Sequence, residues 1–499
     1  MSYLMGIDIG TSSLKVLILK DNGLVCALCG CDYQYDSPMS GFAEQDPEIW
    51  WEACVTGINN ALAMSGLSGN EIDCVGFSGQ MHGLVTLDKN GNCIRPAILH
   101  NDARSEKQVD EIKNILSEEN IKDLLMNPVY TGFWLPSLLW IRENEPDNYN
   151  KIAKLCFPKD FIRYKLTGEI ATDFSDASAS LLFDIKNLTW SEHLLKTFNF
   201  SETWFPDCET SGAYAGNISK SAAILTNLPT NVKVAFGGAD AVMQALGNGA
   251  LGKDIVTANI GSSGQICFQT ETYISNPDLT TNTFCGFERG RWITMGAIMH
   301  AGLAKKWIHK VLKTSDYKEL DDLASTSKEG SGLIFLPYLN GERTPHLNPN
   351  LTGLFLGITM GTTDANLARA VMEGVAFALK NAMEVCEGLG LKADGVIASG
   401  GGAKSEFWLQ ILSDIFALPV KVSKSEEQAA LGAAITAGVC AGAFNDYSEG
   451  VRRSVKYSEK EWLPDTSRTK LYEKYYELYK DAYEVNKDLL VRLRTLGRQ

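Results

Sequence analysis

The sequence predicts an α/β protein of two domains, each built on the same kind of mixed sheet and facing the other across a cleft. Three observations carry this. The chain has 499 residues, more than one hydrophobic core usually supports, so two units of about 200 to 250 residues are expected. The phrase Ile7-Asp8-Ile9-Gly10-Thr11-Ser12-Ser13 returns about half the chain later as Ala258-Asn259-Ile260-Gly261-Ser262-Ser263-Gly264. Each copy lies between β-branched apolar runs and so marks the turn of a strand hairpin, and each half goes on to helices and a further strand.

Taken in order, residues 5–28 fit a strand, an Asp21-Asn22-Gly23 turn and a second strand, with the first loop near their start. Pro47 opens a helix over 47–64, followed by a strand at 74–77 and a polar loop, Ser78-Gly79-Gln80-Met81-His82-Gly83. Residues 102–184 form a mostly helical insertion. A strand at 232–236 stops at Gly237-Gly238-Ala239-Asp240, where a small-residue helix begins. The second half repeats the scheme with strands over 255–269, helices after Gly302 and Asp364, and a strand at 395–398 that runs into Ser399-Gly400-Gly401-Gly402-Ala403-Lys404-Ser405. In the last segment Leu471, Tyr475, Leu478, Ala482, Val485 and Leu489 recur at helical spacing and predict a structural helix. The expected domains are residues 1–246 and 247–445, with a helical segment over 446–499.

Composition narrows the function classes. A net charge of −14 argues against a nucleic-acid footprint and against anionic membrane, so an acidic chain that binds polyphosphate must neutralise it locally. No apolar stretch reaches spanning length and no leader precedes the first strand, which predicts a soluble cytoplasmic protein. The 12 cysteines are scattered, and many lie in apolar runs, as reduced thiols would. Cys26, Cys29 and Cys31 cluster, but no second pair of Cys or His at finger spacing completes four ligands, so they are expected to be plain strand residues.

The candidate chemistry lies at strand ends. Asp8 closes an apolar strand, where a carboxylate either caps its own turn or meets a cation held beside phosphate. Asp240 is equally suited to capping a helix and to serving as general base for an alcohol. Gln80, Met81 and His82 concentrate groups able to bind a polyol, as do Asn101 and Asp102, and Phe133-Trp134 suits the apolar face of a sugar. The Gly400-Gly401-Gly402 turn resembles a nucleotide-binding turn. Gly247-Asn248-Gly249-Ala250-Leu251-Gly252-Lys253 mimics a phosphate-binding loop, but Asp254 stands where Ser or Thr is required, and the helix precedes it instead of following.

Together these motifs resemble the FGGY carbohydrate kinases of the superfamily that holds actin, sugar kinases and heat-shock ATPases. The likeness runs over nearly the whole chain in order. Gly353-Leu354-Phe355-Leu356-Gly357-Ile358 followed by Asn366-Leu367-Ala368-Arg369-Ala370-Val371-Met372-Glu373 fits one family pattern throughout, and Pro136-Ser137-Leu138-Leu139-Trp140-Ile141-Arg142-Glu143 fits the other except for Ser137, where Lys is usual. Members that phosphorylate D-xylulose also share Glu44-Gln45-Asp46-Pro47, Gln80-Met81-His82-Gly83, Pro158-Lys159-Asp160 and Gly341-Glu342-Arg343-Thr344-Pro345-His346. The resemblance implies an actin-like (ribonuclease H-like) fold and phosphoryl transfer from ATP, with Mg²⁺, to a ketopentose. It makes Asp240 the catalytic base, Met81 and His82 the pentulose contacts and Asp8 the metal-associated carboxylate. Thr11, Ser12, Lys15, Gly261, Ser262 and Ser263 would hold phosphates, and Gly401, Gly402, Ala403 and Ser405 the adenosine. His100 replaces a usual Trp and Ala241 a usual Asn, so ribulose and gluconate stay open as substrates. Its partners would be the sugar and ATP, with no nucleic acid and no membrane, and the resemblance allows a homodimer. A nucleotide-driven conformational protein and a silent sugar sensor are the rival readings.

Overall fold

The computed structural model describes residues 1–252 and 254–497, so Lys253 of the phosphate-loop mimic and the last two residues of the expected terminal segment lie outside the described residues. Its first sheet holds β1 (Tyr3–Ile9), β2 (Ser13–Lys20), β3 (Val25–Asp32), β4 (Ile72–Gly79), β5 (Tyr214–Asn217), β6 (Lys233–Ala235) and β7 (Gly238–Ala239) in the order β5-β6-β4-β1-β2-β3, with β7 beside β4. The second holds β8 (Ile255–Ile260), β9 (Gly264–Thr270), β10 (Asn282–Cys285), β11 (Trp292–Ile298), β12 (Gly395–Ser399) and β13 (Val420–Val422) in the order β10-β11-β9-β8-β12-β13. The series β3-β2-β1-β4-β6 and β11-β9-β8-β12-β13 match. In each, an antiparallel hairpin carries the loop, a third antiparallel strand flanks it, and two parallel strands follow. The expected duplication is therefore present in the pairing itself. The first meander has three strands where two were expected from 5–28, and β4 runs on to include Ser78 and Gly79, because Asp8 and Ile9 pair with them in register.

Parallel neighbours need helical crossovers. In the first half these and the insertion include α1 (Pro47–Ser65), α2 (Trp134–Asn144), α3 (Pro158–Thr167), the short α4 (Phe174–Ser178) and α5 (Asp240–Gly247). The start of α1 follows from its sequence: Asp46 accepts the Glu48 N–H and Pro47 occupies the first turn, while Gly66 ends it in the left-handed region. Its Trp50, Cys54, Ile58 and Leu62 are buried at four-residue spacing, and the helix packs over β2 and β3. The second half contributes α6 (Gly302–Leu312), α7 (Tyr317–Ser325), α8 (Asp364–Gly388), α9 (Glu406–Phe416), α10 (Gln428–Ala441) and α11 (Thr466–Gly497).

The helix α10 packs on the first sheet and on α5, although its sequence lies in the second half. Such close approach needs bare backbone. A Cβ on Gly6 would stand 2.0 Å from the Ala430 carbonyl oxygen, and one on Gly76 would stand 2.2 Å from that of Ala433. Cys26, Cys29 and Cys31 are strand residues of β3.

The expected apolar stripe of α11 is corrected. Leu478 is 53% and Val485 82% exposed, and Leu471 and Leu489 are exposed too, while Tyr472, Tyr476, Tyr479 and Leu490 are buried with Ala482. Tyrosine can face inward because each hydroxyl finds a partner: Tyr472 donates to Glu373 at 2.7 Å, Tyr476 to Glu384 at 2.8 Å, and Tyr479 bonds Tyr338 at 2.8 Å. Val485→Lys is therefore expected to leave stability within about 0.5 kcal/mol, and Tyr479→Phe to cost about 1 kcal/mol, as read from urea midpoints. The opposite ranking would restore the leucine face.

Candidate active site

Register alone brings the carboxylates together. Asp8 near the end of β1 pairs with Ser78 of β4, and Ala239 of β7 pairs with Gly79, so Asp8, Asp240 and the loop from Gln80 to Gly83 meet at the carboxyl ends of parallel strands. Ligands bind α/β sheets at such ends. Asp240 is the first residue of α5, and its Oδ1 accepts the N–H of Ala241 at 2.7 Å; Ala239 holds the cap position, so the side chain is not committed to capping. Burial, and then the charge of Asp8, push Asp240 up to about 7, with the Ala241 N–H opposing. Asp8 is raised by burial, offset in part by the Ser78 hydroxyl and then by Lys15, and its Oδ1 makes no geometrically sound hydrogen bond.

The first phosphate loop is tightly tied. Gly10 donates to the Ser13 carbonyl at 3.0 Å, the Tyr33 hydroxyl donates to the Gly10 carbonyl at 2.7 Å, and Ser12 stands exposed at the tip. Lys15, expected on phosphate, sits opposite Asp8 and is ion-paired at 2.7 Å with Glu427, the residue before α10. In the second loop the carbonyls of Gly261 and Ser262 accept N–H groups of Ala301, Gly302 and Leu303 at 2.8 to 3.1 Å, which leaves its own exposed serines facing outward.

That loop borders a cavity of about 1020 Å³ with Gly401, Gly402, Ser405, Lys305, Tyr317 and Asp321. Gly400 has φ +81°, and a Cβ there would meet Asn259 Oδ1 at 2.5 Å, so the turn requires glycine. Ala403 does not line the cavity; its methyl joins the core. Ser405 borders it while capping α9, its Oγ accepting the Trp408 N–H at 3.1 Å.

In the polar loop His82 adopts φ 67°, unusual for a non-glycine residue and of the kind that gathers at functional sites. Its Nδ1 lies 2.8 Å from the Ala179 carbonyl, which can only accept, so Nδ1 carries the proton and Nε2 presents a lone pair. Burial lowers its pKa to about 3 and that of His100 to about 4, so both rings are neutral near pH 7. Phe133 packs against His82 with centroids 3.9 Å apart and ring planes inclined by 36°. Met81 is buried beside them.

Three expected sugar contacts turn inward instead. Gln80 is buried; its Oε1 accepts the Thr11 hydroxyl at 3.0 Å, tying the polar loop to the phosphate loop. Asp102 is buried, accepting the Ala43 N–H at 2.6 Å and ion-pairing with Arg104 at 2.8 Å, while Asn101 beside it is exposed. Trp134 is fully buried, stacked on Phe157 at 4.0 Å, and its Nε1 donates to the Gly83 carbonyl at 2.9 Å, so it braces the loop from behind. Gln80 and Trp134 bond partners far along the chain, and Asp102 bonds the distant Ala43 as well as Arg104 two residues on.

The charged residues lining this cavity have no distinct signal in the sequence, because on amphipathic helices they look like solvated faces. Lys305 of α6 is buried, paired with Asp321 of α7 at 2.5 Å and over the Trp408 ring at 5.2 Å. Glu427 had no local signal either. Around Asp8 the hard-oxygen donors and the unpartnered Oδ1 suit a divalent cation that keeps its waters and phosphate ligands. Among the described residues no group of three Asp, Glu, His or Cys converges as a protein cage would, and such a cation does not need one.

Comparisons with known proteins agree with this geometry. The model of the FGGY family of carbohydrate kinases, N-terminal domain, matches residues 3–247, and that of the C-terminal domain matches residues 256–441. A xylulose kinase of Staphylococcus xylosus is 34% identical over 487 residues, covering 97% of this chain and all of that one. The structure of ligand-bound xylulose kinase from Lactobacillus acidophilus superposes with TM-score 0.94 at 25% identity, covering 99% of this chain and 100% of that chain. Gluconate kinase from the same organism superposes with TM-score 0.93 at 25% identity, covering 99% of each. Two family models, one over each half and its sheet, make the conclusion direct: the chain belongs to the FGGY family of carbohydrate kinases.

Proposed function

We propose that the protein transfers the γ-phosphoryl group of ATP to the 5-hydroxyl of a ketopentose, D-xylulose first among them. The observation that carries this reading is the convergence of Asp240, Asp8 and the His82 loop at the ends of parallel strands. Asp240 accepts the hydroxyl proton as the oxygen bonds to the γ-phosphorus and the bridge to ADP breaks. His82 Nε2 accepts from a sugar hydroxyl, with Met81 and Phe133 as the apolar wall. Ser12, Gly261, Ser262 and Ser263 donate to phosphate oxygens, Thr11 does so through its backbone N–H because its hydroxyl is given to Gln80, and the Gly401-Gly402 turn with Ser405 lies along the adenosine. Mg²⁺ would be held at Asp8, directly or through water, and would supply charge neutralisation for the phosphates. The names of the relatives favour D-xylulose, and the equal structural likeness to a gluconate kinase makes gluconate the second reading.

An ADP-release assay over D-xylulose, D-ribulose, L-ribulose, gluconate and glycerol tests this. The highest kcat/KM is expected for D-xylulose. Hydrolysis of ATP that ignores sugar would instead favour an actin-type nucleotide protein, and sugar binding without ADP release a sensor. With D-xylulose, kcat/KM should fall about tenfold per pH unit below pH 7, because a base with its pKa near 7 is protonated there. A flat profile from pH 5 to 8 would remove Asp240 as the base. Asp8→Asn should raise the Mg²⁺ concentration for half-maximal activity by about 10 to 100-fold, measured by Mg²⁺ titration at fixed ATP.

A further inference from the structure

Behind the catalytic loop lies a charged cluster that the proposed reaction does not use. Lys159, Asp160 and Arg163 of α3 and Asp173 and Asp176 around α4 have fully buried side chains. Lys159 Nζ lies 2.7 Å from Asp160, 2.9 Å from Asp173 and 3.2 Å from Asp176. Asp173 caps α4, accepting the Ser175 N–H at 2.8 Å and the Ser175 hydroxyl proton in a short contact. With its proton committed, Ser175 Oγ can only accept at its remaining positions, and it takes the N–H of Ala239 at 2.9 Å. Ala239 immediately precedes Asp240.

The same cluster reaches the rest of that turn. Ser211 accepts the Gly237 N–H on its carbonyl at 2.9 Å and directs its hydroxyl to Asp173 at 3.4 Å, while the Arg163 guanidinium lies over the Phe236 ring at 5.0 Å. A Cβ on Gly238 would stand 2.9 Å from Ser211 Oγ and 3.2 Å from Ser175 Oγ, so the backbone is seated directly on these hydroxyls. At its other end α4 contacts the second half, because Ser178 Oγ accepts the Cys285 N–H of β10 at 2.9 Å. The residue after α4, Ala179, holds His82 through its carbonyl. One short element thus touches the base loop, the sugar loop and the second sheet.

We propose that Ser175, oriented by the buried Asp173–Lys159 pair, is a positioning residue that sets where the Asp240 carboxylate stands. This rests on the reading of Asp240 as the base. The link to Asp240 runs through the Ser175 side chain, whereas the link to His82 runs through the Ala179 main chain. Removing the hydroxyl should therefore affect turnover and spare sugar binding. Misplacement of a reacting group by about 1 Å can lower the rate about 100-fold.

The test is a kinetic double-mutant cycle on the full chain, with Ser175→Ala, Ser175→Thr, Asp240→Asn and the Ala/Asn double variant. Ser175→Ala should lower kcat about 10 to 100-fold with both KM values within about twofold. Ser175→Thr, which keeps the oxygen, should recover most of the loss, and Ser175→Ala should cost nothing further in the Asp240→Asn background. A kcat for Ser175→Ala within twofold of the parent, beside an inactive Asp240→Asn, would overturn the positioning role and leave the base intact. The same loss in both backgrounds would also overturn it, since a purely structural defect adds. An active Asp240→Asn would instead overturn the reading on which the proposal rests.

Discussion

Asp240→Asn should lower kcat by about 10² to 10⁴ while leaving the fold and the sugar KM unchanged, because general-base help is worth that much and little else changes. Asparagine keeps the side-chain oxygen that accepts the Ala241 N–H at 2.7 Å, so the first turn of α5 stays anchored. What disappears is a carboxylate that burial and Asp8 hold at about 7. A group whose folded pKa is raised contributes stability that is fully present below its unfolded pKa and is lost as pH rises through the folded value. The parent should therefore lose stability between pH 4 and pH 7 at this site, and the variant, which does not titrate there, should not. Urea midpoints at pH 5 and pH 8 should place the variant above the parent at pH 8, with a smaller gap at pH 5. Turnover near the parent value, or a collapse of stability at pH 8, would sink this account of Asp240.

That residue also shows what a linear sequence encodes. The two glycine-hydroxyl loops are legible because a hairpin turn is made by adjacent residues, and the capped start of α1 is legible for the same reason. Asp240 could be picked out as a strand-end carboxylate, but only the pairing of β7 with β4 and of β4 with β1 brings it to Asp8. Gln80, Asp102 and Trp134 were expected to face a sugar because polar and aromatic groups in a loop suggest a ligand. Their partners are Thr11, Ala43 with Arg104, and Gly83, and in each case burial with a satisfied hydrogen bond competes with exposure to the pocket. In α11 the buried face lies one position away from the expected stripe of Leu471, Leu478, Val485 and Leu489. Tyr472, Tyr476 and Tyr479 bury larger rings than those leucines and each hydroxyl finds a hydrogen-bond partner. Lys159 sits in a motif that suggested only family membership, and nothing local indicates that Asp173 and Asp176 converge on it.

Lys159→Met should destabilise the protein by about 3 to 5 kcal/mol at pH 7, since it strands buried carboxylates whose cation has been removed. Methionine nearly matches the volume of the lysine stem, and the close contact with Gly79, where a Cβ would lie 2.8 Å from Lys159 Cβ, is retained. Packing is thus held nearly constant and the charge is the variable. With three carboxylates and only Arg163 left, the buried negative charge is under-neutralised, and Asp176, raised by burial even with Lys159 present, is driven further towards its protonated form. The raised folded pKa of Asp176 places the extra loss above the unfolded carboxylate range, so the deficit should be small near pH 4 and widen towards pH 7. Urea unfolding of parent and variant at pH 4.5, 6 and 7.5 measures it, and the low-pH arm keeps the comparison available if the variant is poorly folded at neutrality. A deficit that does not change with pH would mean that lost packing, not the stranded charge, is responsible. If the charge is responsible, the variant's turnover should fall along with its stability even at pH values where it is fully folded, because Asp173 then loses the ion that fixes Ser175 beneath Ala239.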